Sequence, residues 1–538
     1  MTRSTARWRP TLGHWLLDKA RENGDRRALV VAGAEHSYAT LAAASGKVAA
    51  ALGQLFEVST PVAVIVPTSA LAVEAFFGIT MAGLIEVPIH PDYRGPYLSH
   101  ILGVTQCQGI ICAEETLPSA LEVVADCPSI RHILVGGPGP ISIPETRDQG
   151  RSTAAGRSCP TISLLSDHIA AAPPSVPVPR LGDLAPAAVM FTSGTTGPSK
   201  GAVYSHEALL NRSAQVADVS RYGPDTVLYS VFPLNHMSAK CMTLLTGLSA
   251  NGCAIIDAHF SASQFWDRCR QEGVSAFNYV GALLMMLFKQ PPAPGDSDHQ
   301  VRLARGGGVP PELRQGFEQR FGVRLLEMYG MTEFPHIAGY EWASERRPGA
   351  VGRPAPDYDV RIVDERDYEV PAGAVGELIL RPRGPNSTML HYYRAPEATV
   401  AAFRNLWFHT GDLATIDNDG YLYYRGRKKD AIRRRGENVS AWEVEQVVIS
   451  HSDVLECSAF GVPSELSEEE VMVAVVLRGR TSLDQVIEYC SRRMPDFALP
   501  RYWRVMTELP KTRTHSVRKD ELRADGVTDG TWDRRHAS

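Results

Sequence analysis

The sequence has no cysteine pair at CxxC spacing. Its nine cysteines are scattered, with Cys107 and Cys112 the nearest two, so neither a disulfide framework nor a zinc site is expected. Scattered, reduced thiols fit a cytoplasmic protein. Charge of one sign is also scarce: the formal net charge is −5 over 538 residues, which gives no global electrostatic support for binding nucleic acid. The opening MTRSTARWRPTLGHWLL lacks an apolar core followed by a small-residue cleavage site, and no export is expected. The best candidate for a membrane span, VAVIVPTSALAVEAFFGITMAGLIEVPIHP, is interrupted by Pro67, Glu74 and Glu86. It divides better into strand, buried helix and strand, so it reads as core and no membrane partner is expected.

What is present is an ordinary globular composition, 44% hydrophobic and 21% charged, in a chain too long for one compact core. Val62–Val66, a helix from about Ala70 to Gly83, and Leu84–Ile89 make one β-α-β unit, and a second opens near Ile133. This alternation predicts an α/β protein with layered, parallel sheets in a large N-terminal domain. AAAPPSVPVPRLGDLAP is a connector. From Ala350 to Tyr424 short β runs (YDVRIVD, GELILRP, GYLYYRG) predict a β-rich subdomain. CSAFGVP and EEVMVAVVLRG then read as strands of a small, mobile α+β C-terminal domain. The boundary is placed near Arg427–Asp430, giving domains 1–426 and 427–538.

The strongest chemical signal is VMFTSGTTGPSKGAVYSH, Val189 to His206. An apolar strand enters a loop of glycines and hydroxyls, Lys200 follows, and a helical run begins near Glu207. Glycines let backbone N–H groups converge on phosphate oxygens, hydroxyls add donors and Lys200 adds a mobile positive charge. The spacing differs from GxxxxGK[ST], although the physical logic is shared.

With this loop, four further motifs in order make the chain resemble the adenylate-forming (AMP-binding) enzymes: acyl-CoA synthetases, aryl-CoA ligases, luciferases and peptide-synthetase adenylation domains. The resemblance spans nearly the whole sequence. It implies that Thr192, Ser193, Gly194, Thr195, Thr196, Gly197 and Lys200 cradle ATP phosphates. RGGGVPPEL, with Gly306, Gly307 and Gly308, stands where the family makes its adenine-binding turn. YGMTE follows, with Tyr329, Gly330 and Met331 beside the nucleotide, Thr332 on the α-phosphate and Glu333 holding Mg²⁺. HTGDLA places Asp412, and YRGRKKD places Arg427, at the ribose; Lys429 falls at the pivot of the small domain. Local chemistry agrees. A carboxylate such as Asp412 accepts two bonds from vicinal hydroxyls, and Glu333 is a hard oxygen ligand. Taken singly, Asp412 reads equally as a turn residue, Glu333 as a helix-start acid and the basic run as a solvated face.

Within the family the chain looks most like the carnitine/crotonobetaine-type CoA ligases. That places an acyl pocket at His236, Tyr279, Gly281, Phe334 and His336. PLNH, Pro233 to His236, supplies no aspartate for a substrate ammonium, which disfavours a free α-amino acid. RGRKKDAIRRRGEN carries seven basic residues, charge that suits the phosphates of CoA as a possible co-substrate.

The end of the chain departs from the pattern. Relatives carry Pro-Lys-Thr-x-x-Gly-Lys, whose last lysine bridges carboxylate and α-phosphate during adenylation. LPKTRTHSVRKDELR has His515–Ser516 instead of Gly-Lys. A cation preorganised at developing charge is worth ~3 kcal/mol or more. Three readings follow. Arg518, on the same side as Ser516 if the segment is extended, takes over as a catalytic cation, with His515 and Lys519 facing away. Alternatively the enzyme activates an unusual oxyanion, nitrite, to convert an arylamine into a diazonium in natural-product biosynthesis. In the third reading the protein binds nucleotide and no longer adenylates. The leading expectation is a ligase that activates a small organic acid as acyl-AMP, using ATP and Mg²⁺.

Overall fold

The structure is a computed structural model. It describes residues 11–139, 141, 159–174, 176–192, 199–309, 311–434, 437–464, 469–479, 481–494, 498–512 and 516–536. The protein is mixed α/β and divides into two compact units. The larger takes Met1–Gly308, Phe317–Ser344 and Pro382–Ala401; the smaller takes Val309–Gly316, Glu345–Arg381 and Ala402–Ser538. The β-rich stretch from Ala350 to Tyr424, expected with the N-terminal domain, therefore groups largely with the residues after Arg427.

In the larger unit one sheet is ordered Thr161–Leu164, His132–Val135, Gly109–Cys112, Pro61–Ile65, Ile85–Pro88, Pro186–Phe191, Gly201–Ser205. All its pairs are parallel except the last. Strands covered on both faces read as unbroken apolar runs, and Pro61–Ile65 and Ile85–Pro88 are buried at every position. The helix between them, Ala70–Met81, is buried along most of its length, so the long apolar stretch is core. Among the described residues no helix is long and apolar enough to cross a membrane.

A second sheet in this unit runs Arg324–Tyr329, Leu303–Gly307, Ala276–Val280, Val227–Ser230, Cys253–Ile256, Arg27–Val31. These strands pair in parallel, and the sheet continues with antiparallel Ala34–Ser37 beside Arg27–Val31 and antiparallel Ala338–Gly339 beside Arg324–Tyr329. Leu303–Gly307 lies against Ala276–Val280 with Gly306 opposite Tyr279. A Cβ on Gly306 would stand 1.9 Å from the Tyr279 carbonyl oxygen, and one on Gly281 1.9 Å from that of Gly308. The glycines are there because two backbones touch.

The smaller unit has a sheet ordered Tyr358–Val363, Gly376–Pro382, Phe408–Ile416, Leu422–Arg427, a hairpin Ala431–Arg434 with Glu437–Ser440, and a sheet ordered Val454–Pro463, Glu469–Leu477, Tyr502–Val505, Trp532–Asp533. The helices Ala441–Ile449 and Leu483–Ser491 contribute Val444, Val448 and Val486 to its core, with Val471, Val473 and Trp503 from the sheet.

Candidate active site

The residues on either side of the phosphate-loop motif form a hairpin. Pro186–Phe191 pairs antiparallel with Gly201–Ser205, Phe191 opposite Gly201. Thr192 N donates to Lys200 O at 2.9 Å and closes the ends of the loop. The helical run expected near Glu207 is present as His206–Val219, and the strand Gly201–Ser205 that precedes it was not read from the sequence. Val203 and Tyr204 favour a pleated, packed strand, and the helix His206–Val219 waits for its N-cap at Ser205, whose Oγ accepts from Ala208 N at 3.1 Å. Ser193, Gly194, Thr195, Thr196 and Gly197 lie outside the described residues.

Two tyrosines join this hairpin to the YGMTE segment. Tyr204 Oη lies 2.6 Å from Thr332 O and 2.8 Å from Glu333 O, a bifurcated donor. Tyr392 Oη donates to Glu333 Oε1 at 2.6 Å, and its ring lies under Lys200, Nζ being 5.1 Å from the centroid. Lys200 and Glu333, 133 positions apart in sequence by subtraction, thus share one aromatic support. Burial first, and then the Glu333 carboxylate, push the Tyr392 phenol upward, so it stays a donor. The strap that carries Tyr392 runs beside the hairpin: Leu390 N donates to Val203 O at 2.7 Å and Tyr393 N to Gly201 O at 2.7 Å. Met331 and Phe334 bond each other's backbone at 2.9 and 3.1 Å, a tight turn that presents Thr332 and Glu333. A Cβ on Gly330 would stand 2.3 Å from Pro335 O.

Neither tyrosine was among the sequence candidates. Tyr204 sits in a five-residue run too short to type by periodicity, and Tyr392 in an irregular HYYRAPE stretch. Replacing Tyr392 by phenylalanine keeps the ring under Lys200 and removes one bond to a carboxylate, a contact worth ~1.5–3 kcal/mol. Adenylation is expected to fall about tenfold or more by that measure. The Mg²⁺ concentration for half-maximal pyrophosphate exchange should rise with it; an unchanged midpoint would leave Tyr392 a packing residue.

The expected acyl-pocket residues differ in accessibility. His236 is exposed, with Nδ1 accepting from Ser238 N at 3.3 Å. Tyr279, Phe334 and His336 are buried at 2%, 0% and 4% exposure. Gly281 is half-buried.

In the smaller unit Asp412 and Arg427 face each other across two strands, with Arg427 Nε 2.8 Å from Asp412 Oδ1. The two expected ribose contacts are therefore already ion-paired, and Asp412 is 1% exposed. The basic run is partly internal. Lys428 pairs with Glu377 at 3.0 Å, and buried Arg434 with Glu470 at 2.6 Å. Arg434 is thus internal, whereas Lys428 is exposed and keeps the solvated-face reading open. Lys429's side chain lies outside the described residues.

On either side of residues 513–515, which lie outside the described residues, the C-terminal segment pairs with itself. Lys511 bridges Val517, Thr512 N donates to Ser516 O at 2.7 Å, and Arg518 N donates to Pro510 O at 2.8 Å. Ser516 is exposed. Arg518 pairs with Glu521, Lys511 with Glu456, and Lys519 with Glu445 at 2.8 Å. These are partly exposed pairs, weak enough to exchange partners. His515 lies outside the described residues.

A family model described as AMP-binding enzyme matches residues 16–393, and one described as AMP-binding enzyme C-terminal domain matches residues 443–515. The chain is 29% identical over 468 residues to a sulfoacetate–CoA ligase of Cupriavidus necator, covering 86% of each. It is 28% identical over 459 residues to a crotonobetaine/carnitine–CoA ligase of Salmonella paratyphi B, covering 83% of this chain and 85% of that one. Among solved structures it matches ATP-bound MatB from Rhodopseudomonas palustris at a TM-score of 0.83 and 26% identity, covering 96% of this chain and 98% of that one. An anthranilate CoA ligase in complex with anthranoyl-AMP shares the fold, with a TM-score of 0.85 at 23% identity over 98% of this chain and 99% of that one. A family match spanning well over half the sequence, across the motifs that meet at Tyr392, places the protein in the AMP-binding enzyme family, as an ATP-dependent ligase that works through an adenylate.

Proposed function

We propose that the protein activates a small carboxylic acid with ATP as acyl-AMP and transfers the acyl group to CoA. The observation that carries this reading is the Lys200–Tyr392–Glu333 cluster at the foot of the Thr192–Lys200 loop. In the first half-reaction a carboxylate oxygen bonds to the α-phosphorus and the bond to pyrophosphate breaks. In the second, the CoA thiol bonds to the acyl carbon and AMP leaves. Lys200 and Thr332 offset phosphate charge, the Gly306–Gly308 turn and Tyr329 take the adenine, and Asp412 with Arg427 takes the ribose. For that last role, one Asp412 oxygen stays with Arg427 while hydroxyls use the remaining lone pairs. Mg²⁺ suits Glu333, a buried carboxylate fixed by Tyr392 on one oxygen. Because no cluster of three or more His, Cys, Asp or Glu that could hold a metal occurs among the described residues, phosphate oxygens and water would complete its shell. When bound, the ion neutralises phosphate charge. CoA as acceptor draws on the CoA ligases to which the chain is similar, and Lys429 remains the proposed pivot of a C-terminal domain.

A second reading, nitrite activation, is favoured by Ser516 at the position where the family resemblance expects lysine. There a nitrite oxygen would attack the α-phosphorus with loss of pyrophosphate. An arylamine nitrogen would then bond to nitrogen as AMP leaves, and loss of water gives the diazonium. Pyrophosphate–ATP exchange separates the readings. A rise with carboxylic acids and a thioester on adding CoA supports the first, a rise with nitrite and a coloured product from an aminophenol the second. Silence with every substrate, while ATP still binds, would leave a nucleotide-binding protein only.

Ser516→Lys restores the family's cation at an exposed position. If the missing charge limits the reaction, exchange with ordinary acids rises ~10–100-fold, the usual scale for one preorganised charge. No rise would show that the native site manages without it.

A further inference from the structure

Arg305 is 1% exposed. Its Nη2 donates to Tyr340 O at 2.7 Å, whereas Nη1 and Nε have no partner. His336 is 4% exposed and neither of its ring nitrogens is bonded. Arg212, 2% exposed, reaches towards the His336 carbonyl at 3.5 Å while its Nη2 donates to Ser387 O at 2.7 Å. The charges of Arg212 and Arg305, after burial itself, push the His336 imidazole well down. Among the described residues the carboxylate that acts on Arg305 is Glu341, which is exposed, and the Tyr222 and Tyr279 phenols act in the same direction.

The strand register fixes where this charge faces. Arg305 stands opposite Asn278 in the parallel pair, so the two side chains share one face of the sheet. Asn278 Nδ2 donates to Met242 O at 3.0 Å and Thr243 Oγ1 at 2.8 Å. That helical turn, Lys240–Leu245, follows directly on Met237–Ala239, which His236 caps. Arg305 therefore faces the layer that carries His236, and it lies next in sequence to the Gly306–Gly308 turn. A buried guanidinium is costly unless it is paired and hydrogen-bonded, and an anionic ligand at the Nη1 and Nε donors of Arg305 would supply that pairing.

We infer that the acid activated here carries a second anionic group, a sulfonate or a second carboxylate, which Arg305 and His336 bind at the far end of the acyl pocket. This rests on the acyl-adenylate reading and names its substrate class. The planar fork of Arg305 offers two donors for a tetrahedral or planar oxyanion. Neutral His336, with one N–H donor, completes the seat. A substrate ending in an ammonium or an alkyl group leaves these donors unpaired and is rejected.

The test is adenylate formation, measured as pyrophosphate release. It uses paired acids of similar size: sulfoacetate, malonate and succinate against butyrate and valerate, with β-alanine as the cationic control. The wild type is expected to favour the charged-tail acids by about 100-fold or more in kcat/KM. Arg305→Met should collapse that ratio by a similar factor, and Arg305→Lys should retain part of it. Equal or better turnover of the neutral-tail acids by the wild type overturns the inference and leaves the ligase reading standing. If no acid is activated, the ligase reading falls by itself. Calorimetric titration of sulfoacetate into wild type and Arg305→Lys then decides the anion seat, and binding that is absent, or equal in both, overturns it.

Discussion

Replacing Lys240 by methionine is expected to lower the melting temperature of the larger unit by roughly 6–20 °C, the shift that follows from ~3–5 kcal/mol in a unit of this kind. Lys240 Nζ lies 2.6 and 2.7 Å from the two oxygens of Glu86, and each residue is 1% exposed. The ammonium also sits over the Phe76 ring, 4.1 Å from its centroid. Burial raises the Glu86 carboxyl and lowers the Lys240 ammonium, while each opposes that shift in the other. Removing the lysine leaves a carboxylate in the core with neither water nor counter-charge. Its folded-state pKa then rises further above the ordinary 4.5, so the loss of stability grows as pH rises through and above that value and shrinks in acid. Glu86→Met combined with Lys240→Met removes both charges and should recover most of the loss, because a buried pair replaced by apolar groups is often neutral. Thermal melts of the single and double variants at two pH values check this. A single variant within 2 °C of wild type, on that same scale of about 2–4 °C per kcal/mol, would mean that water or a second partner reaches Glu86.

The same pair shows what a sequence conceals. Glu86 reads as an interruption in an apolar run, and nothing local indicates that its partner lies 154 positions away. Tyr392 and Glu333, 59 positions apart, were hidden for the same reason. By contrast, the Pro61–Pro88 strand–helix–strand unit was legible because its periodicity and burial are local. The motif around Glu333 stood out only through the family resemblance, because taken singly Glu333 reads equally as a helix-start acid, and the turn from Met331 to Phe334 that presents it has no periodicity to read. The hairpin strand Gly201–Ser205 lies between: five residues beside a glycine-rich loop carry too little pattern to distinguish strand from helix lead-in. The unpaired donors of Arg305 could not be read either, since an arginine in a short strand is normally placed at the surface.

Glu333→Gln is expected to reduce adenylate formation about 10²–10³-fold, the scale for losing one preorganised electrostatic contact at a site of developing charge. The substitution is nearly isosteric. Tyr392 Oη can still donate to the amide oxygen, and the backbone of residue 333 keeps its bonds from Tyr204 and from Thr388 Oγ1. Fold and hairpin geometry should therefore survive, which separates chemistry from collapse. The variant loses a full negative charge 7% exposed in the core of the larger unit, and with it the hard ligand proposed for Mg²⁺. Two readouts distinguish this from general damage. The melting temperature should stay close to wild type, and the Mg²⁺ dependence of pyrophosphate exchange should shift to higher concentration. Activity within threefold of wild type at every Mg²⁺ concentration would show that Glu333 supports the turn and takes no part in phosphate chemistry. An unfolded variant would move the role of Glu333 from the reaction to the fold, because the bond from Tyr392 would then depend on its charge.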